Sequence, residues 1–233
     1  MTCRKLLCLL TLVCCTLLAS ADAAQTVWHG SRDLPQIAVT VDDCYDRGHL
    51  EAVIALCEQY AVPVTFFPVG NALKYADAPL WQRALDAGCE IGNHTWAHKR
   101  LIDLNGNNIR FQLSRTQQKL DELLGFSYPL TLLRPPYGDT NARVRETAAG
   151  EGYRYVVLWD VSQTDPDEAF RNVRNGSILL YHTNARDVRC LRQLIPRLLD
   201  AGYRFVTVTQ LLAGELSAGA LLPPGRVFVP SAR

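Results

Sequence analysis

From residue 36 onward the chain alternates short apolar runs with longer stretches whose apolar positions recur every three or four residues. The runs at 36–41 (QIAVTV), 62–67, 90–92, 131–133, 155–158, 178–181 and 203–208 are short and rich in β-branched or aromatic residues, which predicts strands. Between them, 49–60 carries Leu50, Val53, Ile54 and Cys57 on one helical face. Further helices are predicted over 79–86, 109–124, 141–149 and 188–199, with Gly88, Gly125, Gly150 and Gly202 at or beyond their ends. Strand and helix alternating at this cadence give about seven βα units, the pattern of an α/β fold built on a parallel sheet or barrel. No internal repeat interrupts it, and 24–233 reads as one domain, with the Leu222-Pro-Pro-Gly-Arg226 tail as a surface appendage.

The first residues break the pattern. Arg4 and Lys5 precede an uncharged apolar stretch over 6–18, and Ala21 and Ala23 stand in an A-x-A arrangement. This predicts a secretory leader over 1–23, cleaved near Ala23, and a periplasmic or secreted protein. The apolar stretch is shorter than the ~20 residues a spanning helix needs. The formal charge of +1 falls to zero when Arg4, Lys5 and Asp22 leave, so neither a nucleic-acid groove nor a membrane span is expected, and no obligate protein partner is evident. Four of the eight cysteines lie in the leader. Cys44, Cys57, Cys89 and Cys190 remain, and an oxidising compartment predicts one or two disulfides among them, in three possible connectivities. The absence of a C-x-x-C pair argues against a zinc knuckle or a thioredoxin-like site.

The residues able to do chemistry sit at the ends of predicted strands, where parallel βα folds place their sites. Strand 36–41 ends in Asp42-Asp43, two adjacent carboxylates that can take separate tasks. Strand 90–92 runs into Asn93-His94-Thr95-Trp96-Ala97-His98, and an i, i+4 histidine pair on one helical turn would bring two imidazoles onto one metal ion. Two histidines and one aspartate make a first shell for a catalytic ion with positions left for water and substrate. Strand 131–133 leads into Arg134-Pro135-Pro136-Tyr137-Gly138, and strand 178–181 into His182. His29 and His49 stand apart and read as surface residues.

These stretches, in this order, resemble the polysaccharide deacetylases of carbohydrate esterase family 4, the NodB-homology domain, from about Pro35 to Leu212. Its T-F-D-D-G motif is similar to Thr40-Val41-Asp42-Asp43-Cys44, its H-S/T-x-x-x-H to His94–His98, its R-x-P-Y to Arg134–Tyr137, and its L-x-H to Leu180-Tyr181-His182. The resemblance implies a distorted (β/α) barrel with fewer than eight strands. It also implies a divalent metal ion, zinc first and cobalt or a similar ion next, on Asp43, His94 and His98. Asp42 would then be the general base, oriented and kept ionised by Arg134, and His182 the general acid. The backbone N–H of Tyr137 would help to hold the oxyanion, and Asp165, from the fourth motif, would pair with Arg134.

The implied substrate is an acetylated glycan of the chitin-oligosaccharide or peptidoglycan type. A glycan-binding protein without turnover, and a hydrolase of a small amide or acetyl ester, remain alternatives. Four residues depart from the family pattern: Val41 for Phe, Cys44 for Gly, and, in Ser162-Gln163-Thr164-Asp165-Pro166, Ser162 for the first Asp and Pro166 for the Trp of D-x-x-D-W.

Overall fold

A computed structural model describes residues 23–216. The predicted leader up to residue 22 and the 222–226 tail lie outside the described residues. In chain order the elements are β1 (Gln25–Val27), β2 (Gln36–Asp43), α1 (Arg47–Tyr60), β3 (Thr65–Pro68), α2 (Ala78–Asp86), β4 (Glu90–Ile91) and α3 (Gly106–Leu124). They continue with β5 (Leu132–Leu133), α4 (Ala142–Gly150), β6 (Tyr155–Val157), α5 (Pro166–Asn172), β7 (Ile178–His182), α6 (Ala185–Asp200), β8 (Arg204–Phe205) and α7 (Val208–Leu216).

Every strand pairing is parallel, in two sheets ordered β1-β6-β5 and β4-β3-β2-β7, with β8 beside the start of β2. Single bridges join the sheets: Asn93 with Leu133 on one side, Val161 with Leu179 and His29 with Ser177 on the other. The result is a distorted barrel, not a continuously hydrogen-bonded one. β2, β3 and β7 are buried along almost their whole length, as strands covered on both faces must be. Helix ends are set locally: Asp46 caps α1 by accepting from His49 N at 2.8 Å, and Asn105 caps α3 by accepting from Asn108 N at 2.9 Å.

Three elements differ from the sequence expectation. β1 is a strand of three residues, too short to show a period. Residues 166–172, which carried no predicted element, form α5 with Pro166 in its first turn. The strand expected over 203–208 stops at Phe205, because Thr207 and Gln210 form a capping box. Thr207 Oγ1 accepts from Gln210 N at 3.2 Å, and Gln210 Oε1 accepts from Thr207 N at 3.0 Å, which starts α7. No helix among the described residues is long and apolar enough to cross a membrane.

Candidate metal centre and active site

The carboxyl ends of β2, β4, β5 and β7 converge on one patch. At the end of β2 the backbone turns through left-handed conformations at Asp43 (φ 69°) and Cys44 (φ 61°), held by Cys44 N donating to Asp42 O and Val69 N donating to Asp43 O. Such conformations cost a non-glycine residue about 1–2 kcal/mol each. The turn separates the two carboxylates: Asp42 is buried beside Arg134, while Asp43 is half-buried and faces the imidazoles.

The 94–98 segment is not helical, contrary to the i, i+4 expectation; Thr95 (φ 67°) and His98 (φ 51°) are left-handed. Side chains and a neighbouring loop supply the hydrogen bonds that a helix would have made. Thr95 N donates to Asn93 Oδ1 (2.7 Å) and Ala97 N to Gln112 Oε1 (2.9 Å), while Gly70 N and Asn71 N donate to the carbonyls of Thr95 and Trp96. Gly70 has no room for a side chain: a Cβ there would stand 2.6 Å from Thr116 Oγ1 and 2.7 Å from the Trp96 ring. The two imidazoles still meet, with ring centroids 4.9 Å apart.

One ligand atom each from Asp43, His94 and His98 lies within 4.8 Å of the other two. Asp43 Oδ1 is 3.5 Å from His94 Nε2 and 3.6 Å from His98 Nε2, and it is buried without a hydrogen bond. Orphaning a buried carboxylate oxygen is costly unless a cation satisfies it. His94 Nδ1 donates to Arg134 O at 2.8 Å, which leaves Nε2 as the ligating nitrogen, the outer-shell arrangement usual for metal-bound histidine. Burial pulls the His94 imidazole below the usual histidine value and favours the neutral form that ligates. The donor set therefore fits a divalent cation.

Arg134 is fully buried and joins the two sheets. Nε donates to Val157 O (3.1 Å), Nη2 to Leu158 O (3.2 Å), and Nη1 to Asp42 Oδ1 (2.9 Å) and Thr40 Oγ1. Its guanidinium also stacks over the Phe67 ring. Asp42 Oδ2 remains on the metal side, 3.7 Å from His94 Nε2. His182 pairs with Asp42 across β2 and β7. A residue that sequence reasoning missed, Asp187 in the first turn of α6, accepts from both His182 N (2.7 Å) and His182 Nδ1 (3.2 Å). This hydrogen bond, and the charges of Asp42 and Asp43, raise the His182 imidazole above its ordinary value against the effect of burial.

Asp165 is a correction. It does not pair with Arg134; it is exposed and caps α5, with Oδ1 accepting from Asp167 N and Glu168 N. Tyr137 is left-handed (φ 65°) and exposed, its ring edge-on to His98 and under the Arg100 guanidinium. Trp159 packs against Gly138 and the Arg134 guanidinium. The expected disulfides are absent: Cys44, Cys57, Cys89 and Cys190 are buried free thiols. Cys57 and Cys89 hydrogen-bond to each other, whereas Cys44 lies under the Asp42-Asp43 turn and Cys190 against Tyr181. His29 is exposed, and His49 pairs with Asp46, the residue that caps α1.

The family model described as polysaccharide deacetylase matches residues 29–156. A peptidoglycan N-acetylglucosamine deacetylase of Bacillus cereus is 32% identical over 200 residues, covering 79% of this chain and 92% of that one. A peptidoglycan N-acetylmuramic acid deacetylase of Bacillus subtilis is 31% identical over 185 residues; the match covers 75% of this chain but only 38% of that longer protein. Among solved structures, the Bc1960 peptidoglycan N-acetylglucosamine deacetylase superposes with a TM-score of 0.73 at 26% identity, over 82% of this chain and 93% of that one.

Proposed function

Because the chain belongs to the polysaccharide deacetylase family, we propose that it is a secreted, metal-dependent hydrolase that removes acetyl groups from N-acetylated glycans of the peptidoglycan or chitin-oligosaccharide type. The observation that carries this reading is the convergence of Asp43, His94 and His98 between two polarised pairs, Asp42 with Arg134 and His182 with Asp187. The names of the Bacillus relatives support the substrate class.

Asp43, His94 and His98 would hold a divalent ion, zinc first and cobalt or a similar ion next. When bound, such an ion polarises the acyl oxygen and lowers the pKa of water toward ~7. Asp42 takes the proton from the attacking water through Oδ2, since Arg134 occupies Oδ1. The backbone N–H of Tyr137 adds a donor for the charge that develops on the acyl oxygen. His182 gives a proton to the nitrogen as the C–N bond breaks, and its raised value keeps that proton available. The balance is amide plus water to acetate plus amine.

The test is acetate release by the metal-loaded protein from N-acetylglucosamine oligomers, peptidoglycan and acetylated xylan, with Asp42→Asn as control. Release from the N-acetylated substrates that the control loses is the expected result. Release from xylan alone would reassign the enzyme as an O-acetyl esterase, and no release with metal bound would overturn the reading.

A further inference from the structure

We propose that Asp187 is the positioning residue of the leaving-group histidine, holding a proton on His182 Nδ1 so that Nε2 is the nitrogen that serves the departing amine. The assignment rests on the deacetylase reading above. Asp187 is 4% exposed, and one of its oxygens takes both the backbone N–H and the Nδ1 of His182. A carboxylate only accepts, so Nδ1 must carry the hydrogen and Nε2 is left for proton transfer.

The carboxylate is itself anchored. Asn184 Oδ1 accepts from Asp187 N at 3.0 Å, and the first turn of a sixteen-residue helix favours negative charge. Asp165, the acid that the fourth motif offers, is committed to the N-terminus of α5 and is unavailable for this task. The other charges acting on His182 are Asp42 and Asp43 on β2, while Tyr181 and Cys190 are the titratable groups around Asp187. A purely structural Asp187 would only tie the His182 backbone to the first turn of α6 and leave the imidazole indifferent to its charge.

The isosteric change Asp187→Asn separates these roles, because the amide oxygen can still accept both hydrogen bonds. Nitrogen-15 NMR of the full-length protein should find the neutral His182 ring protonated at Nδ1 in the wild type. Asp187→Asn should move the titration midpoint of His182 to lower pH. With metal bound, the variant should lose kcat on N-acetylglucosamine oligomers with little change in KM, by less than the ~10²–10⁴-fold attributable to a general acid, and the alkaline limb of kcat should move to lower pH. A wild-type ring protonated at Nε2, or an unchanged midpoint in the variant, overturns the assignment whatever the turnover; the wild-type measurement stands even if the variant fails to fold. Intact NMR differences in a wild type that deacetylates nothing would instead overturn the deacetylase reading and, with it, any catalytic service by Asp187.

Discussion

Replacing Arg134 by methionine keeps most of the side-chain volume but removes every donor that Asp42 Oδ1, Thr40 Oγ1, Val157 O and Leu158 O now share. Asp42 is 2% exposed, so water cannot take over. Leaving a buried charge unpaired costs about 3–5 kcal/mol, and orphaning a buried carbonyl about 1–3 kcal/mol before relaxation. With partial relaxation the loss should be about 4–6 kcal/mol, a large share of the ~5–15 kcal/mol that stabilises a typical domain. Arg134→Lys keeps a charge for Asp42 but cannot span both sheets, and should cost about 1–3 kcal/mol. In the double variant Asp42→Asn with Arg134→Met no charge is stranded, so it should be at least ~1–2 kcal/mol more stable than the two single losses added together. Urea unfolding at pH 7 with a chelator measures all four without any contribution from metal. A loss below ~1 kcal/mol for Arg134→Met, or strict additivity in the cycle, would refute the view that this guanidinium neutralises Asp42 and bolts the sheets together.

Other consequences can be measured directly. His94→Ala should abolish stoichiometric zinc binding in equilibrium dialysis, and zinc at about 100 times its Kd should stabilise the wild type alone by about 2.7 kcal/mol. Asp165→Ala should cost about 1 kcal/mol in denaturant unfolding, as loss of a helix cap does; a loss of 3–5 kcal/mol would restore its pairing with Arg134. At Cys44, whose φ is 61°, Gly should be more stable than Ala by about 0.5–1 kcal/mol, since both remove the thiol and only Gly is free of strain. Because folding raises the His182 value, the stabilisation from its bond to Asp187 should be complete below the unfolded value near ~6.5 and disappear as pH rises through the folded one. Wild type and Asp187→Asn should therefore differ more in stability at pH 5 than at pH 9.

The strand–helix cadence was legible because buried strands and amphipathic helices leave periods of different length. The site residues were legible because they cluster at strand ends. Less was legible where local chemistry overrides period. The histidine pair looked helical from its spacing, yet Asn93 and Gln112 take the backbone donors and hold a left-handed loop. The capping box at Thr207 and Gln210 was present in the sequence, hidden by the apolar run leading into it. Asp187 stands one residue ahead of the helix predicted over 188–199 and carried no reading of its own. Its signal was its place three residues after a capping Asn and five after a strand-end histidine. Cys57 and Cys89 are distant in sequence, and only the packing of α1 against α2, whose following turn carries Cys89, brings their thiols together.

Arg134 reaches both β6 and β2 from the end of β5, where the two sheets share only single bridges. The side chain that orients the proposed base is thus also a structural tie across the barrel. A descendant that abandoned turnover would still lose much of its stability if Arg134 alone were replaced and Asp42 left unpaired, so retention of Arg134 says little about activity. Asp43 and His98 are more exposed, and Asp43 carries an unsatisfied oxygen. Their replacement would cost the fold least, which makes those two positions the ones where silent loss of chemistry would first be written.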